Sequence, residues 1–329
     1  MKGAIVQTTE AARIPLLLPA LGAVLFLTLA AFGADLLARP ATSTPQGQPG
    51  PAVPARLNTL IPRLQQGRPI FGGTIPVGSA GRAKQASGSG WDFVLMEMGY
   101  SGLELELTMQ FLLDRRQILE HGTLAPPVVP LVRLPSNGRE TNQWLIKHSL
   151  DQGAYGIVVP HTNTVEEAET AIVFSRYAQA AGAPDSEPAG HRGVAPGNAQ
   201  RWWGIRDYRE YHRRADVWPL DPDGELMVWI MIAEEEGVRN LADLLRRVKV
   251  SAVIADEVDL AMSMGLAERP SSPQVDAELK KIVEVCKQFK VPVGAPATRD
   301  NVEQRVRDGY QILITDDPVA IERGRKAAR

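Results

Sequence analysis

Short apolar segments alternate with amphipathic stretches along residues 57–329. The apolar segments fall at residues 69–76, 92–97, 128–134, 155–160, 226–232, 250–255, 291–294 and 311–315. The second, Asp-Phe-Val-Leu-Met-Glu, is apolar between acidic ends, as expected of a strand buried on both faces. Residues 164–181 and 238–248 carry helical spacing, and Thr164 with Glu167 makes a candidate capping box. Eight buried strands separated by helices predict an α/β fold with a closed parallel sheet, a (β/α)8 TIM barrel, rather than an open sheet. About 250 residues suffice for such a barrel. The interval from 182 to 223 is longer and rich in Gly, Pro, Arg and Trp. It is expected to be an elaborated loop after the fourth strand, on the catalytic face. Its Trp202, Trp203, Tyr208, Tyr211 and Trp218 either line the mouth of a site or pack onto the barrel or a second subunit.

The pattern differs before residue 57. Residues 14–34 carry no charge and follow Lys2 and Arg13. That run reaches the roughly 20 residues a membrane helix needs, and it also has the layout of a signal peptide, with Ala31-Phe32-Gly33 as a small-residue cleavage site. Residues 39–56 contain five prolines and few large apolar side chains, the composition of an extended linker. The expected organisation is a signal peptide or membrane anchor over 1–38, a Pro/Gly-rich linker over 39–56 and the barrel over 57–329. Basic residues ahead of the apolar run orient the barrel outside the cytosol, tethered to the membrane if the segment is uncleaved.

Charge narrows the partners. The chain has 36 basic and 38 acidic side chains, a net charge of −2 and no basic block, which argues against nucleic acid. The single cysteine, Cys286, excludes an internal disulfide and reads as a small buried hydrophobe on a helix. The five histidines, 121, 148, 161, 191 and 212, show no zinc-type spacing. In the barrel register, Glu97, Arg133, Glu234 and Asp259 fall at or just beyond the C-terminal ends of strands, where barrel enzymes build their sites. Carboxylates with an arginine and without clustered histidines suit an oxygen-ligated Mg²⁺ or Mn²⁺. The other reading of Glu234-Glu235-Glu236 is an acidic first turn favoured by the helix dipole.

At this point a family pattern emerges. Over roughly residues 58–328 the chain resembles the HpcH/HpaI aldolase and citrate lyase family. The matching stretches are Gly-Arg-Pro-Ile-Phe-Gly-Gly-Thr (67–74), Trp-Asp-Phe-Val-Leu-Met-Glu (91–97), Pro-Leu-Val-Arg-Leu-Pro (130–135) and Gly-Ala-Tyr-Gly-Ile-Val-Val-Pro (153–160). Asn-Thr-Val-Glu-Glu-Ala (163–168), His-Arg-Gly-Val (191–194), Glu-Gly-Val-Arg-Asn-Leu (236–241), Val-Asp-Leu (258–260) and Met264-Gly265 follow in order. The resemblance implies cleavage or formation of a C–C bond beside a 2-oxo acid, with a divalent metal (Mg²⁺ or Mn²⁺, Co²⁺ as a further candidate) polarising the substrate. It implies that Arg133 steadies the developing oxyanion, that Asp259 is a metal carboxylate, and that the amides of Val258 and Asp259 hold the substrate carboxylate. It also implies a homo-oligomer, a trimer or hexamer.

Four departures stand out. A gapless match puts Ala233 at the first metal carboxylate, with Glu234 one residue later. Branched aliphatics normally fill barrel interiors, which favours Ile230, Ile232 and Glu234 pointing inward, with Trp229 and Met231 facing the helices. Glu234 is therefore the expected first ligand. The usual Asp/His acid–base dyad is replaced by Glu97 and Tyr100, and a tyrosine with an ordinary pKa of about 10 is a poor base at neutral pH. Asp256 and Glu257 stand where the family has glycine and proline, and Ile232 where it has glutamine. The expected function is a metal-dependent lyase acting on a 2-oxo acid, such as a 4-hydroxy-2-oxo acid, through a pyruvate enolate. The alternative is a catalytically altered barrel that binds a small carboxylate or a protein partner at the cell envelope.

Overall fold

The apolar segments form parallel strands in a computed structural model, which describes residues 56–99, 102, 104–112, 125–135, 137–140, 143–196, 198–267 and 269–329. The apolar N-terminal run, most of the linker and Tyr100 lie outside the described residues. No helix among the described residues is long and apolar enough to cross a membrane.

The strands are β1 (Ile70–Pro76), β2 (Phe93–Glu97), β3 (Val129–Arg133), β4 (Gly156–Val159), β5 (Val217–Trp218), β6 (Leu226–Ile232), β7 (Ala252–Ala255), β8 (Val293–Pro296) and β9 (Ile312–Ile314). Their order is β4-β3-β2-β1-β9-β8-β7-β6-β5, and β4 also pairs with β6. That last pairing closes eight strands into a ring and leaves the two-residue β5 outside it. Each of the eight lies within two residues of its predicted position. Helices such as Val165–Ser175, Glu235–Arg247 and Pro273–Phe289 cover the ring. Thr164 and Glu167 form the full capping box. Cys286 is buried on Pro273–Phe289, and burial pushes its thiol up to about 12. The barrel is stapled where it begins, since the buried Glu225 accepts the backbone amides of Leu57 and Asn58 at 3.0 and 2.9 Å.

The interior is filled differently from expectation. Phe93 on β2 and Trp229 on β6 meet edge to face, with ring centroids 5.4 Å apart. Because β2 and β6 are not neighbours in the ring, this contact crosses the barrel, and Trp229 points inward. Alternation then turns Met231 and Ala233 inward with it. Ile232 faces the helices instead, 3.3 Å from the position a Cβ would take at Gly237 in helix Glu235–Arg247. The expected inward Ile230 and Ile232 are thus corrected. The physical reason lies on β1: a Cβ at Gly72 would come within 2.7 Å of the Phe93 ring. The missing side chain makes room for two large rings where aliphatics would ordinarily sit.

A second correction concerns residues 182–223. They follow helix Val165–Ser175, which has already returned the chain from the C-terminal to the N-terminal end of the barrel. The segment therefore covers the N-terminal face and is no catalytic-face loop. Its β5 pairs with the first residues of β6, Val217 beside Leu226. Trp203 stacks on Tyr155, just before β4, at 4.5 Å and donates its indole N–H to Gly153 at 3.0 Å. Tyr211 packs edge-on against Trp203 at 5.4 Å. Of the two readings of these aromatics, Trp203 and Tyr211 take the one in which they pack onto the barrel. Arg176, fully buried, ties the segment down through Asp216 (2.6 and 2.9 Å) and Asp185 (3.0 Å).

Candidate active site

Five neighbouring strand ends, in the ring order β2, β3, β4, β6, β7, supply the polar residues of the C-terminal face. Glu97 closes β2 and Arg133 closes β3, paired in register and therefore on one face. Alternation from the inward Phe93 puts both at the top of the interior. Glu97 is buried; its Oε2 accepts from Arg133 Nη1 at 2.8 Å and its Oε1 from the Gly99 amide at 2.7 Å. Arg133 Nε is buried and has no hydrogen-bond partner among the described residues. A buried N–H without an acceptor is unfavourable by roughly 1–3 kcal/mol. The rest of the guanidinium is less enclosed, the side chain being 23% exposed at a strand end, where it can meet an oxyanion.

The ends of β4, β6 and β7 bring His161, Glu234 and Asp259 together. His161 Nδ1 lies 2.9 Å from Glu234 Oε1, and its Nε2 lies 3.3 Å from Asp259 Oδ2. Glu234 also accepts from Arg139 Nη2 at both oxygens, 2.9 and 2.8 Å, and from Asn163 Nδ2 at 2.9 Å. Asn163 is held in turn by Asn240, which donates to its carbonyl at 2.9 Å. Partial burial pushes the Glu234 carboxyl up, but hydrogen bonds from His161, Asn163 and Arg139 outweigh it. The net effect holds the group below the usual carboxylate range. His161 has a φ of 48°, uncommon for a residue with a side chain.

The predicted residues are therefore partly assembled. Glu234 and Asp259 meet through a common histidine, and Glu97 meets Arg133. Ala233, which the gapless match puts at the first carboxylate, is buried and faces inward, offering no ligand. The Val258 and Asp259 amides, expected to hold a substrate carboxylate, are instead donated to Asp256 Oδ1 at 3.1 and 3.2 Å. Asp256 is the N-cap of helix Glu257–Ser263, so the chain's own carboxylate occupies these donors. Sequence reasoning missed His161, Asn163 and Arg139. The signal for His161 was its place two residues after Val159, the last residue of β4. Elsewhere among the described residues, Asp185, Asp216 and Asp221 also converge. Arg176 already pairs with two of them, and they belong to the segment on the N-terminal face.

Residues 75–314 match the family model described as HpcH/HpaI aldolase/citrate lyase. The chain belongs to this family. Among curated relatives, a 4-hydroxy-2-oxo-heptane-1,7-dioate aldolase from Salmonella paratyphi B is 29% identical over 239 residues, covering 71% of this chain and 79% of the relative. Among solved structures, an HpcH/HpaI aldolase/citrate lyase family protein from Burkholderia cenocepacia superposes with a TM-score of 0.64 at 24% identity, covering 82% of this chain and 97% of that one. An HpcH/HpaI aldolase from Desulfitobacterium hafniense gives 0.62 at 19% identity, covering 80% and 92%. At these identities the two structures speak for the shared barrel.

Proposed function

We propose that this HpcH/HpaI family barrel is a divalent-metal-dependent carbon–carbon lyase that splits a 4-hydroxy-2-oxo acid into pyruvate and an aldehyde. The observation that carries the reading is the buried, unpartnered Nε of Arg133, set on the same arc of strand ends as Glu234, His161 and Asp259. The chemistry of the donors suits a divalent cation: Glu234 and Asp259 are carboxylates at adjoining strand ends, joined through the two nitrogens of His161. A metal bound in this cluster would polarise the 2-oxo group as a Lewis acid.

The remaining steps belong to the chain. Arg133 directs a rigid, planar donor at the oxygen on which negative charge develops as the C3–C4 bond breaks. Both Glu97 oxygens are already engaged, by Arg133 and by Gly99, which suits Glu97 to orient the guanidinium. Tyr100, a neutral phenol that is a better acid than base near pH 7, then gives its proton to the enolate carbon, and the proton that the 4-hydroxyl loses as the aldehyde forms returns to the phenolate through solvent, so the cleavage is proton-neutral overall. The apolar run at residues 14–34, with basic residues before it, supports placing the activity outside the cytosol.

The test is pyruvate release from 4-hydroxy-2-oxo acids of different chain length with Mg²⁺, Mn²⁺ or Co²⁺, using the full-length protein. Metal-dependent release that disappears in Asp259→Ala and Arg133→Ala is the expected result. A folded protein that releases no pyruvate with any of the three metals would overturn the proposal.

A further inference from the structure

We propose that Glu257 and Arg305 are positioning residues for Asp259: their ion pair ties the short helix Glu257–Ser263 to helix Val302–Asp308 and so sets where the Asp259 carboxylate stands. The proposal rests on the reading above, in which Asp259 is a metal carboxylate, and adds two residues that lie outside that cluster.

The case begins with how little else holds helix Glu257–Ser263. It has 7 residues, of which Leu260 and Ala261 are buried, while Val258 and Met262 are 50% and 59% exposed. A helix this short is not stable alone and takes its place from its contacts. Asp259 depends on that place. Its carboxylate has one polar partner among the described residues, His161 at 3.3 Å. The sequence departs from the family pattern at the same point, since Asp256 and Glu257 stand where the family has glycine and proline. A proline at the first helical position sets the backbone by its own ring. A glutamate there has no such constraint and needs a partner to fix the helix.

That partner is Arg305. Its Nη2 donates to Glu257 Oε2 at 2.5 Å, from the helix that follows β8. Arg305 is 8% exposed, its guanidinium lies 5.3 Å from the centre of the Tyr310 ring, and Glu257 is its one carboxylate partner among the described residues. A guanidinium this enclosed is costly without its counter-charge, so the pair keeps its geometry where an exposed pair would not. Successive helical residues turn by about 100°, which sends Glu257 and Asp259 about 200° apart. Tying Glu257 to one flank therefore directs Asp259 to the other, toward β4 and His161. Ser263, four residues after Asp259 and so on its side of the helix, accepts the Glu235 amide at 3.2 Å, beside Glu234 at the end of β6. The helix is held on both flanks, and Glu257–Arg305 is the charged tie.

The experiment titrates Mn²⁺ alone into the full-length protein, followed by the paramagnetic resonance signal of the free ion, in the wild type, Glu257→Gln, Arg305→Gln and Asp259→Ala. Charge and position predict opposite signs for Arg305. A pair acting only through its field would bind Mn²⁺ more tightly once the cation is removed. A pair that positions Asp259 loses affinity whichever partner is removed, and a fall of about tenfold is expected in both variants, the lower end for losing an outer partner of a metal ligand. Asp259→Ala should abolish binding. Asp216→Ala, destabilised at the opposite face of the barrel, should bind Mn²⁺ as the wild type does, which separates position from stability. Should Arg305→Gln fail to fold, Glu257→Asp keeps the charge on an arm one methylene shorter and is expected to weaken binding as well; wild-type affinity there would overturn the role. Unchanged or tighter binding in a folded Arg305→Gln, or an equal loss in Asp216→Ala, would also overturn it while leaving the metal site in place. No Mn²⁺ binding by the folded wild type, or binding that survives Asp259→Ala, would overturn the reading of Asp259 as a ligand and the positioning role with it.

Discussion

Glu97→Gln isolates the contact that holds Arg133 at the top of the barrel. The pair is 2.8 Å apart, with 3% of the Glu97 side chain and 23% of the Arg133 side chain exposed. Two unit charges about 4 Å apart at an effective dielectric near 20 attract by about 4 kcal/mol. Removing one partner of a fully buried pair is unfavourable by about 3–5 kcal/mol. Both figures are upper bounds here, because the guanidinium reaches solvent and glutamine keeps an oxygen that accepts. A loss of about 2–3 kcal/mol is therefore expected, or roughly 5–10 °C in Tm for a domain of this size. The assay is urea denaturation of the wild type, Glu97→Gln, Arg133→Met and the double variant. A coupling energy of at least about 1.5 kcal/mol is expected, above the 0.2–1 kcal/mol of exposed pairs. Coupling within the exposed range would refute the idea that Glu97 fixes the arginine, and Glu97 would become available as an acid–base group.

Asp256→Ala removes the cap of helix Glu257–Ser263 and should lower stability by about 1 kcal/mol; by freeing the Val258 and Asp259 amides it should also tighten pyruvate binding in a calorimetric titration. On the other face, Asp216→Ala removes the bidentate partner of the fully buried Arg176, which keeps Asp185 and the Pro188 carbonyl, and should be destabilising by about 2–3 kcal/mol in urea denaturation, below the roughly 3–5 kcal/mol of a charge left with no partner. Burial, with the charge of Arg192 beside it, pushes the His212 pKa down from 6.5. The unfolded chain thus takes up this proton first: stability is complete above about pH 6.5 and is lost as the pH falls toward the depressed folded value. His212→Phe should flatten that part of the stability–pH curve.

The strand positions were legible because a strand covered on both faces is apolar throughout, and β6, Leu-Met-Val-Trp-Ile-Met-Ile, declares itself without any periodicity. Which of its residues face inward was not legible. That depends on Gly72 and Phe93, strands away, whose joint effect is to admit Trp229. The segment at 182–223 was placed on the wrong face because sequence spacing extended the preceding helix to residue 181. The helix ends at Ser175, and Arg176 turns extended to meet Asp216, 40 residues on. The arginine and the carboxylates of the site were found by one rule, position at a strand end. His161 obeys the same rule, but its partner Glu234 is 73 residues downstream, and local histidine spacing shows nothing of that.

An enolate site that works despite the altered dyad is tested most directly by exchange of the pyruvate methyl protons with D₂O, which needs no choice of aldehyde. Followed by NMR with the full-length protein, exchange should depend on Mn²⁺ or Mg²⁺ and should be lost in Asp259→Ala and Arg133→Ala. A folded protein that binds Mn²⁺ and pyruvate but exchanges no methyl protons would contradict it.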